Sequence, residues 1–387
     1  MKFSHITQLG DILRFQVYAT DLLYISKYGI YLNDKLFEQP NQFNVAYFWN
    51  NFVIYGNLEN MSMYSLLNEN ITQLEPKYSY YWNFYNEENS KMLISQNRRT
   101  NESGNRIADY YLFNLKNKTA QEYLFTEKPQ IKVIGNKGVI IKDATLFAYS
   151  LLTGLYLWEV DLSIQNLKIY TILGIKDENL IIVCENKEQK NILLSLDVNT
   201  GKEIWVKDMN FGKDRFIFNS DNSTIINLYA RGFWLEERRI AVGNNIFREI
   251  NTKDGSVKRE GMLDELDKVG LSIGNHVLQE DKIYFTARYK NSFDGVVVGV
   301  LDYETLSLLW WEEVKMDEAD GFGNFLTQIQ VSENKIYVLD KTGTLHIYER
   351  DDTKPYEKPT KSSLISFEYL PIFEEPPHYP ENDDLPF

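Results

Sequence analysis

The chain reads as an all-β protein, a single closed β-propeller, on three observations. Strand-like segments recur at a nearly constant spacing. Several are followed by the same turn and a tryptophan. Helical patterning is almost absent. The first observation rests on eight short runs of apolar, β-branched or aromatic residues, each opened by a polar or turn residue: DLLYIS from 21, NFVIYGN from 51, KMLISQN from 91, GVIIKD from 138, NLIIVCEN from 179, STIINLYA from 223, DKIYFTA from 281 and NKIYVLD from 334. Their starts advance by about 45 residues per interval, the length of one four-stranded propeller blade.

The second observation is the hairpin after these runs. In NILLSLDVNTGKEIW (191–205), apolar residues alternate up to Asp197, a turn follows through Gly201, and Trp205 stands four residues beyond it. TLFAYSLLTGLYLW (145–158) and VVVGVLDYETLSLLW (296–310) keep the register, with Gly154 before Trp158 and Leu306 before Trp310. NIFREINTKDGSVKR (245–259) keeps Gly255 but puts Arg259 where the Trp would be. Asp or Asn closes such a turn onto the backbone and Gly supplies positive φ; Leu306 predicts a turn of different detail. The regular recurrence of Trp158, Trp205 and Trp310 points to wedges between blades. As to the third observation, no capped stretch of ten or more residues has a 3.6 period, while 26 Tyr and 22 Phe suit strands.

In order, the blades fall at 12–39, 42–75, 79–125, 131–161, 167–208, 215–260, 270–315 and 325–350, each with four antiparallel strands a to d counted outward from the channel. The short first segment leaves a seven-bladed ring as the alternative. The last segment has three strands only, and a ring must close to hide its sheet edges. Either residues 2–7 (KFSHIT) or 363–370 (SLISFEYL) can supply the fourth. Domain organisation is therefore a propeller over 1–350 and a tail over 351–387. Seven of the ten prolines lie in that tail, with nine acids against three lysines, so it reads as an extended acidic segment. Its apolar residues between Leu364 and Phe373 predict that part of it packs on the propeller.

The strings LLSLDVNTGKEIW and LFAYSLLTGLYLW resemble the repeat of quinoprotein-like (PQQ-like) β-propellers, in which a strand ending in Asp is followed by Thr-Gly and a Trp. The resemblance covers two clear repeats and two degraded ones. It implies a propeller fold. Quinone-dependent members are typically exported oxidoreductases with a calcium-associated cofactor and often adjacent cysteines, whereas non-catalytic members act as scaffolds. With one cysteine and no export signal, this chain is expected among the scaffolds.

Charge and composition narrow the function further. A net charge of −14 and a pI near 4.9 argue against nucleic acid and anionic membranes as partners. The opening MKFSHITQLGDILRF lacks a basic segment followed by an apolar one, and no run approaches 18 apolar residues, so the expected location is the cytoplasm. Cys184 in an apolar strand reads as a buried thiol. Four scattered histidines offer no ligand spacing, Gly321-Phe322-Gly323 lacks the rest of a dinucleotide fingerprint, and Lys341-Thr342-Gly343 reads as a hairpin turn. No metal, quinone or nucleotide cofactor is expected.

Two features point to a binding face. Three connections between strands b and c are long: 97–109, 231–245 and 288–296. All b-c connections leave a propeller on one side, together with the d-a connections, so these insertions bring Arg98, Arg99, Arg106, Phe233, Trp234, Arg238, Arg239, Tyr289, Lys290 and Phe293 to one rim. Arg and aromatic side chains are the usual anchors of protein interfaces. The reading is a non-catalytic scaffold whose partner is another protein. Its specific form is an immunity or antitoxin-like protein, an acidic surface complementing a basic toxin or effector. The alternative is an enzyme or ligand-binding propeller acting on a glycan at the central channel, where two carboxylates across a cleft would do the work; adjacent pairs occur at Glu87–Glu88, Glu236–Glu237, Glu312–Glu313 and Glu374–Glu375.

Overall fold

The computed structural model of the chain describes residues 2–39, 45–49, 51–56, 61–74, 79–86, 91–102, 104, 106–114, 121–127, 131–134, 136–211, 215–219, 223–230, 244–290, 296–315, 325–351 and 353. By contacts the chain divides into Met1–Tyr356 and Glu357–Phe387. The expected packing of the tail onto the propeller lies outside the described residues.

Eight antiparallel sheets of four strands follow one another: 12–38, 45–74, 79–127, 131–161, 168–211, 215–262, 271–313, and a last one made of 326–350 with Phe3–Leu9. We number them blades 1 to 8. The ring has eight blades, so the seven-bladed alternative is set aside. The b strands carry apolar runs buried on both faces, most fully in Asn179–Glu185 of blade 5, because such a strand lies between its own neighbours in the sheet and between two blades. Among the described residues helix is confined to one five-residue segment, Asp264–Lys268, and a 3₁₀ turn at Ser163–Gln165. The short helix lies on the connection from blade 6 to blade 7. Its Asp267 accepts from Asn245 Nδ2 at 2.6 Å, and its Glu265 accepts from the Leu308 backbone N–H at 2.9 Å, so it ties the two blades together.

The missing strand of blade 8 comes from the N-terminus. Phe3–Leu9 pairs antiparallel with Leu345–Arg350 as the outermost strand. Its two ends hold it to the core: Phe3 is 1% exposed, with its ring 5.1 Å from Trp310 and 6.3 Å from Tyr284, and Leu9 packs half-buried beside Ile12 and Leu345, while Ser4 to Gln8 are largely outside the core.

Blades 4 to 7 are locked to one another at their c-d turns. Trp158 of blade 4 donates its indole N–H to Val198 O in the turn of blade 5 at 2.9 Å, and Trp205 of blade 5 donates to Thr252 O in the turn of blade 6, also at 2.9 Å. Each indole lies against the turn glycine of the next blade: a Cβ on Gly201 would stand 2.9 Å from Trp158, and one on Gly255 2.7 Å from Trp205. Blade 6 presents Arg259 instead, and its guanidinium does the same work. It donates to Tyr303 O at 2.7 Å and Glu304 O at 2.6 Å in the turn of blade 7, while lying 4.6 Å from the Phe247 ring and 4.7 Å from the Tyr303 ring.

This exchange accounts for Leu306. The sequence led us to expect a different turn there, but Leu306 has φ +58°, beside +71° for Gly201 and +69° for Gly255, and its N–H closes onto Asp302 O as that of Gly201 closes onto Asp197 O. The turn is the same. With no indole on it, a side chain fits, at the cost of about 1–2 kcal/mol for a left-handed L-residue.

Polar side chains cover the free inner edges. Gln330 of blade 8 donates to Phe15 O and accepts from Val17 N–H in blade 1; Gln16 of blade 1 accepts from Phe48 N–H in blade 2; Asn275 of blade 7 donates to Thr327 O in blade 8. Lys132 of blade 4 donates to Ile172 O in blade 5. Backbone groups that would otherwise face the channel unpaired are thereby satisfied.

Three expectations follow. Gly255→Ala should destabilise by about 1–3 kcal/mol, from overpacking against Trp205 and from its φ, whereas Leu306→Gly should stay within about 1 kcal/mol of the parent in the same urea titration. Phe3→Ala should cost about 3–5 kcal/mol, read as a lowered Tm together with faster proteolysis near the N-terminus. Ser195, 0% exposed and cross-strand from Trp205, has a hydroxyl with no hydrogen-bond partner among the described residues, while Ala148 fills the matching place opposite Trp158. Ser195→Ala should therefore raise stability by about 1 kcal/mol, checked by the same denaturation midpoint.

Candidate functional site

Each inner strand is entered from a d-a connection, so the d-a and b-c connections share one face and the a-b and c-d turns the other. The a-b turns are short throughout the described residues; in blades 1, 5, 7 and 8 only two residues separate the strands. On the opposite face the connections range from the two-residue turn between Ser26 and Gly29 to the stretch between Ala230 and Asn245. Length variation is concentrated where the sequence led us to expect it.

The ten residues expected on this face are placed as follows. Phe233, Trp234, Arg238, Arg239 and Phe293 lie outside the described residues, as does the side chain of Arg98. The first long connection is largely strand: Lys91–Thr100 and Arg106–Asn114 continue as a hairpin that turns at 101–105, in place of the expected loop. Arg99 on it forms a bidentate pair with Asp109, 2.9 Å for each bond, and Asp109 also accepts from Thr126 Oγ1. Arg106 is exposed at the hairpin's end. Tyr289 donates to Glu313 at 3.2 Å, and Lys290 pairs with Asp267 at 2.8 Å. Arg99, Tyr289 and Lys290 thus have partners within the blades, and a ligand would have to share them.

The same face carries a groove of about 640 Å³ between blades 4 and 5. Ala144, Leu167 and Ile169 line it with Asp143, Lys168 and Glu185. Next to it Ile164, on the 3₁₀ turn of the d-a connection, is 80% exposed.

The inner strands, Ile12–Tyr18, Val45–Trp49, Ser79–Asn86, Ile131–Ile134, Lys168–Lys176, Arg215–Asn219, Leu271–Gln279 and Leu326–Ser332, contain no Asp or Glu. One residue in seven of the whole chain is acidic, so this is a marked depletion. They carry Arg14, Lys132, Lys168, Lys176 and Arg215. The outer strands are the reverse, with acids outnumbering cations by more than two to one, Glu122, Glu127, Glu159, Asp161, Glu312 and Glu313 among them. Charge is sorted by radius. This arrangement was missed in the sequence because charge was counted over the chain and over loops, not by strand position within the repeat.

Chemistry by side chain is restrained elsewhere. Cys184 is buried and desolvation pushes its thiol up to about 12, so it is not a thiolate at neutral pH. Among the described residues no group of three or more His, Cys, Asp or Glu could hold a metal ion, and no helix is long and apolar enough to cross a membrane. His346 lies 2.9 Å from Asp340 inside blade 8, where Asp340 also accepts from Thr342 and Thr344; burial raises that carboxyl, but the bonds outweigh it and hold it below the usual range.

Fold and face together define an eight-bladed β-propeller with one variable face. No protein-family model matches the chain, and none of the curated proteins matches it in sequence. Solved structures match it in chain path. Sqt1 of Saccharomyces cerevisiae superposes with a TM-score of 0.51 at 11% identity, covering 91% of this chain and 100% of that one. BamB from Moraxella catarrhalis gives 0.48 at 11% identity over 90% of this chain and 100% of that one. The β-propeller domain of the Trilobed protease from Pyrococcus furiosus gives 0.43 at 12% identity over 90% and 99%. At such identities the likeness speaks to the fold alone.

Proposed function

We propose that the chain is a non-catalytic propeller that binds another protein through its b-c and d-a face. The observation that carries this reading is the asymmetry of the two faces. In the locked blades 4 to 7 every c-d turn has five residues between its strands, while the other side holds the connections 231–244, 290–296 and 314–325, the blade 3 hairpin and the groove beside Ile164. Interfaces are assembled on variable loops held by a rigid scaffold. The specific form of the proposal is an immunity or antitoxin-like protein of the cytoplasm, its net charge of −14 and acidic outer strands complementing a basic toxin or effector. Glycan hydrolysis in the channel is the weaker reading, since it needs two channel-facing carboxylates and the inner strands carry none.

The full chain, used as bait in its native cell, should retain one protein at stoichiometric yield, identified by mass spectrometry. With that protein purified, Trp234→Ala and Ile164→Asp should each weaken binding by about 2 kcal/mol or more and leave the melting temperature unchanged. Asn199→Arg in a c-d turn should bind as the parent does. Normal binding by the first two variants, with loss in the third, would put the interface on the other face.

A further inference from the structure

The c-d turn of blade 4 carries leucines where the lock needs none. The turns of blades 4, 5, 6 and 7 close in the same way, the N–H of Gly154 onto Ser150 O, of Gly201 onto Asp197 O, of Gly255 onto Asn251 O and of Leu306 onto Asp302 O, so they can be compared place by place. Leu152 stands where blades 5, 6 and 7 have Asn199, Lys253 and Glu304, and Leu155 where they have Lys202, Ser256 and Ser307. The blade 2 turn goes part of the way, with Leu67 at the first place and Asn70 at the second.

These side chains stand in water. Leu155 is 65% exposed, Leu152 is exposed beside it in the turn, and the outer strand continues with Tyr156, 51% exposed, and Leu157. They are also held in place. The adjoining Leu151 is fully buried and donates its N–H to Asn136 O, Ser150 donates to Leu155 O, and the Tyr156 ring lies 5.7 Å from Tyr149, which stacks at 4.4 Å on Phe125 of blade 3. Exposed apolar groups gathered on a rigid frame mark a docking site, and little ordering entropy opposes binding to them.

The company of this cluster is acidic. Strand Tyr156–Asp161 holds Glu159 and Asp161, both exposed, and no cation. Glu159 accepts from the Tyr156 hydroxyl at 3.2 Å, Asp161 from the Ser163 N–H at 2.8 Å, and Glu127 of blade 3 from the Tyr149 hydroxyl at 3.0 Å. These three donors are neutral and cancel no charge. Lys137, registered opposite Ser150, is turned to other work: after the Thr200 hydroxyl, it helps hold Asp197 of the blade 5 turn below the usual carboxylate range.

We propose that the blade 4 turn and outer strand dock a segment of another protein that carries aliphatic side chains together with Lys or Arg. The aliphatic groups lie on Leu152, Leu155 and Leu157, and a cation lies beside Glu159 and the Tyr156 ring, which attracts it as well. A second copy of this chain fits poorly, because it brings a net charge of −14 to an acidic strand. A contact built on four side chains also falls well short of the roughly 1,200 Å² that a stable pair buries, so the complex is transient. This surface lies on the side opposite the b-c and d-a face and does not depend on the reading given for that face.

Photocrosslinking tests the surface. Benzoylphenylalanine in place of Leu155 in the full chain, irradiated in the native cell, should join a segment of another protein in which Lys and Arg outnumber Asp and Glu and aliphatic residues are interspersed, as read by mass spectrometry. A synthetic peptide of that segment should bind the purified chain. Leu152→Asp, Leu155→Gln and Glu159→Lys, each checked for an unchanged melt, should weaken that binding by about fivefold or more, whereas Lys202→Glu at the matching place in blade 5 and Trp234→Ala should not weaken it. The proposal is overturned if no protein is joined, if the joined segment belongs to a second copy or to residues 357–387 of the chain itself, if that segment is acidic or lacks aliphatic residues, if its peptide does not bind, or if the three variants bind the peptide as the parent does.

Discussion

The contact on which the rest of the structure depends is the one between a d-strand side chain and the c-d turn of the next blade. A four-stranded sheet that is apolar on both faces cannot stand in water alone; it is stable only between two others. The indoles of Trp158 and Trp205 each bury a large apolar area and place their single polar atom on a turn carbonyl that would otherwise be unpaired. That Arg259 reaches the same turn carbonyl with a guanidinium flanked by Phe247 and Tyr303 shows what the position requires: a flat group with an N–H at its tip. The turn residue then adjusts to its visitor, glycine under an indole and leucine where the indole is absent.

Locking of this kind runs from blade 4 through blade 7, and the ring closes at a seam of another kind. Blade 8 has no c-d turn to receive Trp310, because its c strand and its d strand come from opposite ends of the chain. Phe3 takes that place, packing on Trp310 beside Tyr348. A strand with a single fully buried residue thereby completes a ring of eight sheets, since beyond Phe3 and the half-buried Leu9 it contributes a ladder of backbone bonds to an edge that would otherwise be open.

Much of this was legible in sequence, and the parts that were not have physical reasons. The b strands announce themselves because burial on both faces demands continuous apolar runs, and the hairpins because Asp, Gly and Trp each have a local role. The blade limits fall within a few residues of those expected. KFSHIT and SLISFEYL could not be told apart as closing strands, since both can pair and only the fit of Phe3 against Trp310 distinguishes one. NRRTNESGNRIAD reads as a loop because an exposed hairpin need not alternate. Of the expected partner-binding residues, Arg99, Tyr289 and Lys290 proved to have acidic neighbours at Asp109, Glu313 and Asp267, and such pairings are set by tertiary proximity. The sorting of charge by radius needed only the strand assignment to become visible.

The lock also explains why the c-d turns of blades 4 to 7 keep one length while the other face varies widely. A c-d turn that must offer a carbonyl and a small residue to the neighbouring blade has its length and conformation set by that neighbour, and the turns of blades 4, 5, 6 and 7 accordingly share a positive-φ residue at Gly154, Gly201, Gly255 and Leu306. Insertion there would break two blades at once. The b-c and d-a connections carry no lock of this kind, so residues can be added to them at the modest entropic cost of a longer loop. Added chain length therefore accumulates on the side where the ring does not hold itself together.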